Sequence, residues 1–249
     1  MSGFPYRLSG PIGTKATLGL IVLQVDETIE HDFRRLFADP GVALYTSRIP
    51  SGAELTPDTI AAMESELPRA VSLLPPAVAF DAIGYACTSG TTLIGAARVA
   101  ELVHGAARTR SVTDPLTAAL AAMRTLGVGS PAIVSPYIDA VAGPIRAAFE
   151  AAGLRVPASL SFGEEVEARV ARIDPASIRE AALEVGKAAE ADAVFLSCTN
   201  LRTLDIIDGL EDALGKPVIS SNQALGWQMA RLANAPVAPS APGRLFRRP

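Results

Sequence analysis

Short, continuous apolar runs alternate along this chain with longer segments in which apolar residues recur every three or four positions. The runs fall at residues 18–23, 42–48, 81–86, 132–135 and 192–196. Four to eight apolar residues bounded by turn residues predict strands buried on both faces, as in parallel sheets. Between them, Ile29, Phe33, Leu36 and Phe37 mark one helical face, and Ile60, Met63, Leu67 and Val71 mark a second. Leu116, Leu120, Met123 and Leu126 form a third, Val141, Ile145, Phe149 and Ala152 a fourth, and Ile178, Ala182 and Val185 a fifth. Thr56-Pro57, Asp114-Pro115 and Asp174-Pro175 are start signals with a cap residue and a proline in the first turn, while Gly41, Gly127 and Gly153 are stops. Pro68 is expected to kink its helix.

The remaining segments are shorter. A small-residue helix is expected to run from Cys87 through Gly95-Ala96-Ala97 to Leu102, with brief strands at 110–113 and 155–158. Residues 203–214 read as a helix, 216–221 as a last strand and 222–232 as a last helix. Residues 1–17 read as a surface arm, and the Pro-rich 236–249 as an extended surface strap.

One stretch occurs twice. Residues 81–93 and 192–204 both run Asp-Ala, four mostly apolar residues, Cys-Thr, a small polar residue, two variable positions and Thr-Leu. Cys87 and Cys198 are the corresponding residues and the only cysteines of the chain. Setting Leu20 against Ala132 gives the same offset to within one residue. The chain therefore reads as an α/β protein of two equivalent halves, with a cysteine in each at the carboxyl end of a strand, where open α/β sheets bind ligands. A site between the halves, one sulfur facing each side of a small molecule, follows.

Composition narrows the possibilities. The chain has 249 residues, 49% hydrophobic and 19% charged, which describes a compact core with little room for disorder. A net charge of −4 without a basic block argues against nucleic acid. No apolar run approaches a membrane span, and the run at 18–25 lacks the flanks of a signal peptide, so a cytoplasmic protein with reduced thiols and no disulfide is expected. His31 and His104 have no ligand spacing to either cysteine, so no metal site is expected. The three lysines lie away from strand ends, which argues against a pyridoxal Schiff base, and no Gly-rich phosphate loop is present. No cofactor is expected.

A thiol at a strand end, with the N–H groups of a following helix turn aimed at it, is expected to have a stabilised thiolate. The hydroxyls of Thr88, Ser89 and Thr199, the amide of Asn200 and nearby N–H groups could cradle a substrate carboxylate and an enediolate-like anion. One thiolate could then take a proton from carbon while the other thiol delivers one to the opposite face. Tyr137, at a strand end in the second half, could donate to a substrate oxygen; Asp26, Glu27 and Thr28 hold the matching place in the first half, where polar residues also serve simply as a helix cap.

With these motifs assembled, the sequence resembles the Asp/Glu racemase superfamily, in the branch of maleate cis-trans isomerases, arylmalonate decarboxylases and ectoine-utilisation racemase-like proteins. The resemblance spans nearly the whole chain and is most specific at residues 85–90, 136–139, 196–198, 203–205 and 217–221. It implies two pseudo-symmetric domains, each a four-stranded, mostly parallel sheet flanked by helices. It also implies a crossover that assigns 1–113 plus 223–249 to the first domain and 114–222 to the second, a cleft between them, and a homo-oligomer, dimer or tetramer. By resemblance Cys87 and Cys198 are the catalytic cysteines, Thr88, Ser89 and Thr199 bind the substrate carboxylate, and Tyr137 stabilises the anionic intermediate. Decarboxylases of this branch carry glycine in place of Cys87, which disfavours dedicated decarboxylation here. Maleate isomerases carry asparagine in place of Asp26, whose carboxylate suits an amine-bearing substrate instead. The expected activity is cofactor-independent racemisation of an amino acid or N-acylated derivative, of ectoine-degradation type; the alternatives are maleate cis-trans isomerisation with Cys87 as nucleophile, and ligand binding without turnover.

Overall fold

The computed structural model describes residues 3–54 and 56–248. Two sheets of four strands share one plan. The first holds β1 (Ala16–Leu23), β2 (Val42–Ile49), β3 (Ala82–Ala86) and β4 (Val112–Thr113) in the order β2-β1-β3-β4. The second holds β5 (Pro131–Ser135), β6 (Ser159–Ser161), β7 (Ala193–Leu196) and β8 (Val218–Ser220) in the order β6-β5-β7-β8. Every pairing is parallel, with Leu20 opposite Gly84 in one sheet and Val134 opposite Leu196 in the other. The duplicated sequence thus folds as a duplicated sheet, and β3 and β7, which lead into the cysteines, hold the same interior place in each.

The helices are α1 (Ile29–Leu36), α2 (Pro57–Ser72), α3 (Thr88–Ile94), α4 (Ala96–Ala106), α5 (Pro115–Leu126), α6 (Asp139–Ala151), α7 (Glu167–Val170), α8 (Pro175–Gly186), α9 (Ile207–Leu214) and α10 (Ser221–Ala233). The cap signals act as read: Asp114 accepts from the Thr117 N–H at 2.8 Å, and Thr56 from that of Thr59 at 3.2 Å. Their apolar faces bury Ile29, Phe33, Ile60, Leu67, Ile145 and Phe149 against the all-apolar interiors of β1, β3, β5 and β7. Burial of that kind, at about 25 cal/mol per Å² of apolar surface, supplies most of the folding drive. α10 follows the second sheet in sequence yet packs against β1, β3 and α5.

Several elements differ from expectation. The helix after Cys87 breaks at Gly95, whose φ of 92° lies outside the helical region, and resumes as α4. β6 begins at Ser159 and not within 155–158, because Pro157 has no N–H to give to a ladder. The expected helix at 203–214 opens as a 3-10 turn, Leu204–Ile206, before α9. Pro68 lies inside α2 without ending it. The arm stops at Lys15, since Ala16 and Thr17 already belong to β1; Phe4, Tyr6, Leu8 and Ile12 on it are exposed. The C-terminal strap is more than a surface feature: Leu245 is fully buried, the Ala238 N–H bonds the Leu36 carbonyl, and Arg244–Arg247 forms a 3-10 turn. Among the described residues no helix is long and apolar enough to cross a membrane.

Candidate active site

Each cysteine sits just beyond an interior strand, and both are buried, Cys87 at 2% exposure and Cys198 at 4%. The polar residues expected beside them are brought together: Thr88, Ser89, Tyr137, Thr199, Asn200 and Asp26 are all buried. The two halves meet here through hydrogen bonds. Ser221 at the start of α10 joins them, its hydroxyl 2.9 Å from that of Thr88 and accepting the Cys198 N–H at 3.0 Å. The Thr199 hydroxyl crosses to the Ala86 carbonyl at 3.3 Å, and the Thr28 hydroxyl donates to the Asn200 carbonyl at 2.9 Å.

Around Cys87 the geometry is that of a helix cap. Its sulfur accepts the Gly90 N–H at 3.1 Å and lies 3.6 Å from the Ser89 hydroxyl. Gly90 is required there, since a Cβ would come within 2.5 Å of the Tyr85 hydroxyl and 2.8 Å of the Cys87 sulfur. Tyr85, two residues earlier and so on the same strand face, donates its hydroxyl to the Met63 sulfur at 3.7 Å and lies close enough to Cys87 to act on its thiol. Cys198 is held differently. Its φ of 132° is a conformation L side chains seldom adopt, and its sulfur takes the Asn200 N–H at 3.4 Å with the Tyr137 phenol beside it. Strain of this kind costs about 1–3 kcal/mol and persists only where surrounding structure enforces it.

The expected thiolates are not what the folded chain favours. Burial pushes the Cys87 thiol up to about 11, against the pull of the Ser89 hydroxyl and the Gly90 N–H. Burial, followed by the charge of Glu167, pushes Cys198 well above the ordinary thiol range. Both thiols are therefore protonated at rest. The helix-turn donors expected to counter this are few: α3 gives Cys87 one backbone N–H, and the chain after Cys198 runs through turns before its next helix.

Asp26 and Asn200 also have uses that the sequence did not reveal. Asp26 Oδ1 accepts the N–H groups of Thr28 and Ile29 at 2.8 and 2.9 Å, capping α1, while its Oδ2 is buried without a partner. Burial raises its pKa. The Asn200 side chain, expected in a substrate cradle, is committed within the protein. Its carbonyl accepts the Glu27 N–H at 2.9 Å, and its amide donates to the Glu167 carboxylate at 2.9 Å and to the Glu167 and Val25 carbonyls.

Comparison with known proteins places this arrangement. The family model described as arylmalonate decarboxylase matches residues 78–246. The arylmalonate decarboxylase of Bordetella bronchiseptica is 32% identical over 235 residues, covering 92% of this chain and 96% of that one. The chain belongs to the arylmalonate decarboxylase family. Within that family the maleate isomerase of Nocardia farcinica is 26% identical over 241 residues, covering 92% of this chain and 95% of its own. A solved arylmalonate decarboxylase variant, with one glycine changed to cysteine and one cysteine to serine, superposes with a TM-score of 0.80 at 29% identity over 92% of this chain and 98% of that one. This member of the arylmalonate decarboxylase family is an enzyme of the decarboxylase and maleate isomerase branch.

Three residues of the site escaped the sequence reading. Tyr85 was visible as the aromatic two positions before Cys87, but nothing in the repeat matches it, since Leu196 stands in the corresponding place in the second half. Ser221 lay in a segment read as strand. Glu167 lies in a stretch without period and carries no local signal at all.

Proposed function

We propose that the protein is a cofactor-independent isomerase that moves a proton between the two faces of the carbon next to a carboxylate, acting as a racemase on an amino acid or N-acylated amino acid. The observation that carries this reading is the paired geometry: two buried cysteines just beyond equivalent strands, each close to a tyrosine, with their polar neighbours hydrogen-bonded across the two halves. A decarboxylase needs a proton donor on one face only; two equivalent thiols suit a reaction that both removes and restores a proton.

In the proposed mechanism the substrate carboxylate lies among the hydroxyls of Thr88, Ser89 and Thr199 and the adjoining backbone N–H groups. These donors stabilise the enediolate-like anion as charge moves onto the carboxylate. One thiol loses its proton to solvent before chemistry and, as thiolate, takes the α-proton; the opposite thiol donates its own proton to the other face, leaving the pair with one proton as before and the roles of the two sulfurs exchanged. The Tyr137 phenol stands beside Cys198 to hold the anion or the sulfur. Burial that opposes thiolate formation also makes the thiolate a stronger base once formed.

A second reading is favoured by one relative. A serine variant of the Nocardia farcinica maleate cis-trans isomerase has been solved with a covalently bound succinylcysteine intermediate. By that chemistry Cys87 would add to the alkene of a dicarboxylate and permit rotation about the C–C bond. Buried Asp26 and Glu167 weigh against it, because a dicarboxylate would enter beside them.

Proton NMR in D2O with amino acids, 2,4-diaminobutyrate, its acetylated forms and maleate separates the readings. Loss of an α-proton signal with the wild type, absent in Cys87→Ser, is expected. Conversion of the maleate vinyl signal to that of fumarate, with every amino acid untouched, would overturn racemisation in favour of alkene isomerisation.

A further inference from the structure

We propose that Glu167, together with the free oxygen of Asp26, holds an ammonium group of the substrate and so selects amino acids bearing a free amine over dicarboxylates and N-acylated forms. The proposal deepens the racemase reading and rests on it for the identity of the site.

Glu167 is the first residue of α7, at the end of a segment that crosses from the second sheet to the first. Its N–H donates to the Ala53 carbonyl at 3.1 Å, and Val166 forms an isolated antiparallel bridge with Glu54. This crossing buries the Glu167 carboxylate against Asn200, where it is 3% exposed. Oε2 is fixed by the Asn200 amide at 2.9 Å, and the same residue's N–H reaches the Cys198 sulfur. The carboxylate is thus one residue's span from the thiol. Its charge acts on Cys198, on Tyr137 and on Cys87.

Asp26 faces the same space from the first half and acts electrostatically on both Cys198 and Glu167. With Oδ1 spent on the α1 cap, Oδ2 remains buried and unpartnered. The neighbouring Thr199 hydroxyl lies close enough to this carboxyl to pull its pKa down, and its geometry directs its proton to the Ala86 carbonyl at 3.3 Å. Arg48, the cation that acts on the Asp26 carboxyl, is committed to other groups. Arg48 gives one nitrogen to the backbone carbonyls of Leu23, Gln24 and Asp26 and the other to Glu30.

Two buried carboxyls therefore act on each other, and among the described residues neither makes a salt bridge with a cationic side chain. Water-excluded like charges are costly, and the cost falls when a cation of the right size arrives with its own donors. An ammonium brings one positive charge and three N–H donors, enough for Oε1 of Glu167, Oδ2 of Asp26 and one further acceptor. A second carboxylate on the ligand would add repulsion, and an N-acyl group would bring a single neutral donor. The carboxylate end of the ligand then lies toward Thr88 and Ser89, and the carbon between the two groups lies between the sulfurs.

The test is calorimetric binding of 2,4-diaminobutyrate, its Nα-acetyl derivative, which differs only in the α-ammonium, and maleate to the wild type, Glu167→Gln and Glu167→Asp. Glutamine keeps the Asn200 contact without the charge, and aspartate keeps the charge on a shorter arm. The wild type should bind the free diamine about tenfold or more tighter than the other two. Glu167→Gln should abolish that preference, and Glu167→Asp should retain part of it. Equal affinity of the wild type for all three ligands, or a preference unchanged in Glu167→Gln, overturns the proposal. Deuterium exchange at the α-carbon, measured in parallel, reports on the racemase reading separately. Exchange with an unaltered preference in Glu167→Gln sinks the role of Glu167 and leaves racemisation standing. A charge-dependent preference without exchange by the wild type leaves the role of Glu167 standing and sinks racemisation.

Discussion

The two cysteine turns have nearly the same sequence and different local structures. Cys87 is extended, with φ −149°, and caps a regular helix whose Gly90 N–H reaches its sulfur. Cys198 has φ 132° and is followed by turns, its N–H bound by Ser221 from another element. The charge of Glu167 is second only to burial in its effect on Cys198, whereas on Cys87 it ranks behind the hydrogen bonds from Ser89 and Gly90. A duplicated motif has thus become two unequal acids. The thiol held by local donors is the easier to ionise, and the one held by distant elements keeps its proton more firmly. On the racemase reading proposed above, Cys87 is the thiol that gives up its proton before chemistry and Cys198 the one that stays protonated.

The largest test of that assignment is removal of each sulfur. Cys87→Ser and Cys198→Ser should each lower racemisation at least about a thousandfold, a loss near 4 kcal/mol in transition-state stabilisation. In the single variants the thiolate ultraviolet absorbance should rise at lower pH for the protein retaining Cys87 than for the one retaining Cys198. The reverse order would break the comparison. Glu167→Gln should narrow the gap by lowering the Cys198 midpoint more than that of Cys87.

The carboxyl of Glu167 gives the next effect. Burial raises its pKa to about 7 from the 4.5 of a free glutamate, so the folded state favours the protonated form. Its contribution to stability is intact below about pH 4.5 and is lost as pH rises through 7. The wild type should therefore lose up to about 3 kcal/mol relative to Glu167→Gln across that window, by urea unfolding at a series of pH values.

Gly90→Ala tests the first turn alone. The new methyl would press on the Tyr85 hydroxyl and the Cys87 sulfur and should cost about 1–3 kcal/mol in stability and most of the activity. Leu201 stands at the matching place after Cys198, so the second half has no counterpart to this constraint. The smallest expected difference is a backbone one. At position 198 glycine should be more stable than alanine by about 1 kcal/mol, because only glycine adopts φ 132° freely, whereas at 87 the two should agree within about 0.5 kcal/mol. Chemical denaturation of the four variants reads this directly.

Much of the fold was legible because its signals are local. A buried parallel strand must be a continuous apolar run, and the runs at 18–23 and 132–135 lie within the strands that form. Cap residues followed by proline fixed the starts of α2, α5 and α8. The failures are equally physical: Pro157 displaced a strand, Gly95 broke a helix, and the C-terminal strap was buried by the Leu245 contact that no neighbouring residue announces.

By itself, the sequence determined that the chain is a duplicated α/β protein and that Cys87 and Cys198 are equivalent, because strand burial and the repeat are written in consecutive residues. Tertiary structure alone decided what surrounds those sulfurs. It spent Asn200 on Glu167, Asp26 on the α1 cap and Ser221 on the Cys198 N–H, and it carried Glu167 into a space shared with both cysteines. Hydrogen-bond competition and desolvation depend on which distant groups meet, and only the folded chain sets those meetings.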